Sequence, residues 1–326
     1  MAIKAYCMKW HLSKSDAFRD LLVDALSDKI EVELTDIDNW EKSTQPQIFC
    51  QIPLPEEVLR DKKSKPIWIP MWDNVWDYPQ SWWDALPKHV RIVCFSKELY
   101  SRVKAAGLDA IHLTYYKDPL QLPAVSWNKV TIFYWNRTGL LSPEFLLKLC
   151  KILKADKLIF RPDIDPGISD EYYFELPSKI GATNIEVIHE TDRTNAYKKM
   201  SEANIYLSPR KLEGVGMTFI EALSRGMGVI AYDGPTMNEY IEHGTNGYLC
   251  SPKTPSSKRI VRGFNKLKRI MFTRGLDYPV TSAQDLHKLT NTDWKVLGNK
   301  AKVDHENGYK KWVTDLEKYG AFISNW

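Results

Sequence analysis

The feature that most restricts what this chain can fold into is a repeated alternation of short apolar runs with amphipathic ones. In the first half the apolar runs are Ile3–Met8, Ile30–Leu34, Gln47–Gln51, Pro66–Ile69 and Val90–Phe95. Between them, Asp16–Leu26 places Phe18, Leu21, Leu22, Ala25 and Leu26 on one helical face, with Ser15 or Asp16 as N-cap. A second helix, Lys97–Ala106, stops at Gly107. Leu113–Val125 has two prolines and little periodicity, and reads as a linker. The second half repeats the rhythm. Its strands are expected at Lys129–Tyr134, Lys157–Phe160, Ile185–Ile188, Asn204–Leu207, Val229–Tyr232 and Gly247–Cys250, with helices at Pro143–Leu153 and Phe219–Ser224. Strand, helix and strand in succession imply parallel sheets with helical crossovers, an α/β fold. Two similar halves joined by a proline-bearing linker imply a ligand cleft between them.

The bulk properties fit that reading. The 326 residues suffice for two domains, each with its own core. No apolar run reaches the roughly 20 residues that span a bilayer, and the N-terminal stretch lacks the features of a signal peptide. The expected location is cytoplasmic. Cys7, Cys50, Cys94, Cys150 and Cys250 are widely spaced and read as buried, reduced thiols. A net charge of +4 does not call for nucleic acid. The stretch Lys258–Arg274 combines seven cations with an apolar stripe at helical spacing. It reads as an ordinary surface helix or as a patch that touches anionic lipid, which would bring the protein to the inner face of the membrane.

The chemistry concentrates in Ser208–Leu249. A strand ends at Leu207, and the loop Glu213-Gly214-Val215-Gly216 leads into a helix. Glycines there permit left-handed backbone angles and let main-chain N–H groups approach a ligand. A helix N-terminus adds unpaired donors and a partial positive charge, which suit phosphate. Glu213 precedes the helix and Glu221 lies about a turn inside it. Carboxylates would repel a diphosphate, so these two should accept hydrogen bonds from sugar or ribose hydroxyls. Each feature taken singly also has a plain packing reading.

Taken together, the segment resembles glycosyltransferase family 4, a large retaining family with the GT-B fold. The resemblance runs through Glu213 and Glu221 at their spacing, the Glu-Ala-Leu-Ser-Arg-Gly-Met stretch from Glu221, the strand Val229–Ala231, then Asn238–Ile241 and Gly244–Gly247. Ser96 followed by a helix and Ala106-Gly107-Leu108 looks like the last βα unit of the family's acceptor domain. The resemblance implies GT-B architecture, two Rossmann-like domains facing an interdomain cleft. Residues 1–122 would be the acceptor side, 123–304 the nucleotide-sugar donor domain, and a helix over 305–326 would cross back to the first. It also implies roles. Glu221 would bind the nucleotide ribose, and Glu213 would lie near the donor sugar hydroxyls. Gly214, Val215, Gly216 and Met217 would present backbone N–H groups to sugar and phosphate. Arg137 falls where the family places a diphosphate-binding arginine, in place of a metal ion; a solvated loop arginine is the plain alternative.

Two departures bear on the site. The family's lysine-glycine pair after that arginine is absent from Thr138–Ser142, so Arg210, Lys211 or Arg161 would have to supply the second cation. Where the family often has a histidine, this chain has Ile69–Asp73, which leaves Asp73 as the polar group at the transfer site or as a turn former. His11, in the first βα loop, either reaches the cleft or is simply exposed. His189 falls near the nucleotide base. Asp163-Ile164-Asp165 imitates a metal-binding motif but sits between prolines, and reads as turn chemistry; no metal or other cofactor is expected.

Five of the twelve tryptophans lie between Trp68 and Trp83. Trp72 and Trp76, with their neighbours, either wall an acceptor site, since aromatic faces suit sugar rings and lipid interfaces, or fill the core. The expected function is a retaining glycosyltransferase that moves a sugar from a nucleoside-diphosphate sugar to a hydroxyl of a glycan or lipid-linked saccharide, as in surface-polysaccharide assembly. The alternatives are a non-catalytic nucleotide-sugar-binding subunit and a sugar-nucleotide epimerase of the same general fold.

Overall fold

A computed structural model describes all residues except 1, 15–16, 120–124, 139–140, 165–169, 171–172, 190–192, 251–287 and 326. Its contacts divide the chain into two compact units. The first comprises Met1–Lys117, Leu212–Met217 and Asn307–Trp326; the second comprises Asp118–Lys211 and Thr218–Glu306.

The first unit is built on six parallel strands: β1 (Ile3–Cys7), β2 (Val32–Asp36), β3 (Pro46–Cys50), β4 (Lys65–Ile69), β5 (Arg91–Cys94) and β6 (Asp109–His112). Their order is β2-β1-β3-β4-β5-β6. Central strands such as β3 and β4 are buried over nearly every position, as expected where helices cover both faces. Five helices follow in chain order, α1 (Lys9–Lys14), α2 (Glu56–Arg60), α3 (Trp72–Val75), α4 (Gln80–Asp84) and α5 (Lys97–Ala105). The helix expected from Asp16 contains a π-helical turn at Arg19–Asp24, and its Phe18, Leu21, Leu22 and Leu26 are buried as predicted. Its proposed caps, Ser15 and Asp16, lie outside the described residues. The Gly107 stop is borne out, with φ of +67°.

The second unit holds β7 (Thr131–Trp135), β8 (Lys157–Arg161), β9 (Lys179–Ile180), β10 (Thr183–Val187), β11 (Ile205–Leu207), β12 (Gly228–Tyr232) and β13 (Tyr248–Cys250). The order is β13-β12-β11-β7-β8-β10-β9, all parallel apart from the two-residue β9. Its helices are α6 (Pro143–Ile152), α7 (Arg193–Met200), α8 (Met217–Arg225) and α9 (Met237–Tyr240). Ser142 caps α6, its hydroxyl accepting from the Phe145 amide, with Pro143 in the first turn. The 31-residue α10 (Trp294–Ser324) closes the chain. In the second unit its first turns meet two glycines: a Cβ at Gly228 would stand 2.8 Å from the Trp294 ring, and one at Gly298 would overlap the Gly226 carbonyl oxygen. In the first unit its later turns bury Trp312, Tyr319 and Ile323. Tyr115 packs edge-on to Trp312, so the start of the expected linker is anchored.

All five cysteines are buried and free. No helix among the described residues is long and apolar enough to cross a membrane. The basic stretch Lys258–Arg274 lies outside the described residues.

Candidate functional site

The winding of the second unit's sheet selects one place on it. From β7 the chain moves out through β8 to β10, then returns to β11 on the other flank of β7. The β7–β11 pair is therefore a topological switch point, and ligands of open α/β sheets bind in the crevice outside the strand carboxyl ends there.

Both loops that leave this point carry cations. After β7 comes Asn136, fully buried, then Arg137, half-buried, whose guanidinium lies 4.9 Å from the centre of the Trp135 ring. After β11 comes Ser208, fully buried, then Pro209, Arg210 and Lys211. Thr138 Oγ1 donates to the Pro209 carbonyl at 2.8 Å and ties the two loops together. Burial lowers the pKa of the Lys211 ammonium, and Lys211 has no ion-pair partner among the described residues. Arg161, the other sequence candidate for a second cation, is committed elsewhere. Its Nε donates to Asp163 Oδ2 at 2.9 Å, and its guanidinium stacks 4.0 Å from the Trp135 ring centre. That pair explains Asp163, while Asp165 lies outside the described residues. His189, exposed, has its Nδ1 3.8 Å from Asp163 Oδ1.

Glu213 and Glu221 are both buried, at 5% and 1% exposure. Gly216 has φ of +79°, the left-handed angle expected of that loop. Gly214 is needed for a different reason. It belongs with the first unit, where a Cβ would stand 2.8 Å from Met71 Cβ and 3.0 Å from Asp73 Oδ1. Val215 is buried, and Leu212 packs against the first unit's core. The amides of Met217 and its neighbours open α8, a nine-residue helix whose buried face carries Glu221.

A second constellation stands at the carboxyl ends of β1, β3 and β4 in the first unit. His11, on α1, is 6% exposed. Its ring stacks on Trp10 at 3.5 Å between centroids and meets Phe18 edge-on at 4.8 Å. Burial pushes its pKa down to about 4, although a hydrogen bond with the Gln51 side chain opposes the shift. The imidazole is therefore neutral near pH 7, and its Nδ1 has no partner among the described residues. Gln51 itself donates to Asn74 Oδ1 at 3.3 Å and holds a φ of +55°, an uncommon backbone state for a side-chain-bearing residue. Asp73, half-buried, precedes Asn74 on α3.

The tryptophan wall is corrected by burial. Trp72 is 4% exposed in the first unit's core beneath the Arg102 guanidinium, and Trp68 and Trp83 are buried beside it. Trp76 is half-buried against the same cluster, and its carbonyl accepts from Arg102 Nη1 at 2.9 Å. These rings pack on one another, Trp68 of β4 lying 5.8 Å from Trp83 of α4 between ring centroids, with Trp72 in the same cluster. Trp82, 38% exposed, is the member of the group that remains at the surface, and Trp10, 47% exposed after β1, is a further exposed ring that sequence reasoning passed over. Gln51 and Arg225 were also missed. Arg225 had a visible signal, a charge one helical turn after Glu221.

Comparison with known proteins adds the following. Residues 167–296 match the family model described as Glycosyl transferases group 1. The chain is 34% identical over 111 residues to the UDP-N-acetylglucosamine–peptide N-acetylglucosaminyltransferase GtfA subunit of Streptococcus agalactiae, a match that spans 32% of this chain and 21% of that relative. Among solved structures it is similar to Anabaena Alr3699/HepE in complex with UDP, at 11% identity and a TM-score of 0.61 over 98% of both chains. It is also similar to the pneumococcal O-GlcNAc transferase GtfA in complex with UDP and GlcNAc, at 14% identity and a TM-score of 0.53. That likeness covers 86% of this chain and 57% of that one. The fold is GT-B, and residues 167–296 are similar to the group 1 glycosyltransferase model.

Proposed function

We propose that this chain is a glycosyltransferase that takes a sugar from a nucleoside-diphosphate sugar and transfers it, with anomeric retention, to a hydroxyl of a glycan or lipid-linked saccharide. The observation that carries the reading is the switch point of the second unit, where Arg137 and Lys211 leave adjacent strands on loops joined by the Thr138–Pro209 hydrogen bond. Two cations in one crevice suit a diphosphate. The group 1 model and the GT-B fold support the transferase class. The UDP held by HepE and by the pneumococcal GtfA supports UDP as the nucleotide.

In this reading the bond from the anomeric carbon to the β-phosphate oxygen breaks, and its electron pair leaves with the diphosphate. Arg137, Lys211 and the backbone N–H groups from Gly214 to Met217 stabilise that charge, with Arg210 beside them. Glu221 accepts hydrogen bonds from the ribose and Glu213 from the donor sugar. His189 stands on the side of the base. The acceptor oxygen bonds to the anomeric carbon on the face the diphosphate leaves, and its proton passes to a departing phosphate oxygen. On the acceptor side, Asp73 and the neutral His11, steadied by Gln51, receive hydroxyl groups, and Trp10 offers a ring face to a sugar. If the acceptor is lipid-linked, the cations of Lys258–Arg274 would meet anionic headgroups at the cytoplasmic face.

The test is a screen of UDP-, GDP- and ADP-sugars by thermal shift and nucleoside-diphosphate release, with wild type and Glu221→Ala. A donor at a hundred times its dissociation constant stabilises the fold by about 2.7 kcal/mol. Stabilisation by a UDP-sugar that Glu221→Ala abolishes, with slow UDP release, supports the reading. If no sugar nucleotide binds, the reading is wrong. Binding without release under any acceptor would instead favour a nucleotide-sugar-binding subunit.

A further inference from the structure

Helix α8 buries two charged side chains, Glu221 and Arg225, at 1% and 4% exposure. They are four residues apart, so they share a side of the helix one turn from each other. Buried charges persist only where something compensates them. Burial lowers the pKa of Arg225, and the nearby Glu221 and Tyr197, the latter on α7, act against that shift. Yet neither Nε nor Nη1 of Arg225 has a hydrogen-bond partner among the described residues. An arginine serving to stitch backbone carbonyls together would have used those donors, and leaving them bare in the interior is unfavourable. Such a breach of an otherwise consistent design marks a residue kept for something other than stability.

The end of the helix is also fixed. Gly226 takes a φ of +78°, and a Cβ there would stand 3.2 Å from the Gly298 carbonyl oxygen. The backbones at Gly226 and Gly298 lie in contact, and Trp294 covers Gly228 just beyond. With this end of α8 held, the base of the Arg225 side chain has little freedom to withdraw from Glu221.

We propose that Arg225 is the positioning residue of Glu221, holding that buried carboxylate ionised and oriented toward the ribose hydroxyls of the bound nucleotide without touching the nucleotide itself. The proposal rests on the donor-site reading above. It asks more than that reading, which needs only that Glu221 meet the ribose.

The experiment measures the affinities of UDP and of 2′,3′-dideoxyuridine diphosphate by calorimetry, on the full chain, in wild type, Glu221→Ala, Arg225→Met and Arg225→Gln. Wild type should prefer UDP by about tenfold or more, since a charge-assisted hydrogen bond distinguishes the two ligands. Arg225→Met should bring that preference to within about twofold, as Glu221→Ala does, while affinity for the dideoxy ligand stays within about twofold of wild type. A merely structural role would weaken both nucleotides alike. Should Arg225→Met not fold, Arg225→Gln is read by the same ratio. If wild type shows the preference and the Arg225 variants keep it, or lose both nucleotides equally, the Arg225 assignment falls and the donor site stands. If wild type binds neither nucleotide, or Glu221→Ala leaves the preference intact, the donor-site reading falls and takes this proposal with it.

Discussion

Replacing Lys211 by methionine tests the proposed site where its physics is most exposed. The ammonium is half-buried, burial has already lowered its pKa, and no described residue forms an ion pair with it. In the unliganded protein the charge is thus a liability. A diphosphate oxygen at 4 Å would return about 4 kcal/mol by Coulomb's law at an effective dielectric constant near 20. Hydrogen bonds to charged groups contribute about 1.5–3 kcal/mol net. Because the desolvation of Lys211 is already borne by the free protein, most of that gain should appear as affinity. Lys211→Met is therefore expected to weaken UDP by about 2 kcal/mol, roughly thirtyfold, in calorimetry at pH 7.5. Lys211→Arg should lose much less. The sign of the pH dependence follows from the lowered pKa. Bound diphosphate favours the protonated amine, so affinity is full below the free-state pKa and falls as pH rises through it. The methionine variant lacks this alkaline decline; the titration of the uracil ring is common to both proteins and cancels in their ratio. A lysine with a depressed folded-state pKa costs stability below that pKa, so the unliganded variant should melt no lower than wild type near neutrality. Equal UDP affinity and matching alkaline profiles in the two proteins would refute the assignment.

Three further outcomes are expected. Thr138→Val removes the bond to the Pro209 carbonyl, and should cost about 1 kcal/mol of stability in denaturant melts and raise the KM for donor more than it lowers kcat. His11→Phe should abolish transfer to acceptor while leaving UDP affinity and slow donor hydrolysis in place; equal loss of hydrolysis and transfer would contradict its acceptor-side role. The imidazole pKa is lowered from 6.5 to about 4, so its neutral form contributes stability above pH 6.5 that is lost as pH falls toward 4, and acid melts of the phenylalanine variant should lack that share. Gly298→Ala forces a methyl into the Gly226 carbonyl and should destabilise the protein by about 3 kcal/mol or more in thermal melts, because backbone cannot yield as a side chain does.

The strand scaffold was legible because buried parallel strands are written as short apolar runs, and Ile67–Ile69 or Leu158–Phe160 can hardly be anything else. Strand β6 was missed for the converse reason. As an edge strand it is only half-buried, and Asp109-Ala110-Ile111-His112 shows no apolar run. The Glu213-to-Glu221 loop and helix were legible as a motif, but the reason for Gly214 was not. The contact that excludes its Cβ comes from Met71 and Asp73, distant in sequence. Of the two readings of His11, a cleft residue or an exposed loop residue, the exposed one fails: α1 and the Phe18 helix bury it, and nothing in its neighbourhood of sequence announces that. The positive φ of Gln51 is likewise invisible, since glutamine gives no hint of left-handed backbone.

Charge in the second unit is distributed in a way that bears on function more than any single residue does. Lys157 and Lys199 alternate with Glu186 and Glu202 in a ring of four ion pairs, 2.5 to 3.0 Å, each side chain about one-third exposed. Such a surface network is compensated within itself, and the carboxylates' pKa values are lowered as paired groups' should be. Lys211 and Arg225 follow the opposite logic. Both are drawn toward neutrality by burial, and Arg225 keeps bare donors in the interior. A buried cation without an opposite charge beside it, as Lys211 is among the described residues, is replaceable by an apolar residue of similar size at a gain in stability. Lys211 stands on the loop that leaves β11, and Arg225 ends the helix that follows. A nucleoside diphosphate answers each in its own way: its phosphates bring negative charge to Lys211 at the strand end, and its ribose hydroxyls meet the Glu221 carboxylate that Arg225 holds. The two substitutions should therefore part: Lys211→Met holds or raises unliganded stability while UDP affinity falls, whereas Arg225→Met leaves the Glu221 carboxylate buried without its cation and lowers stability together with the preference for UDP.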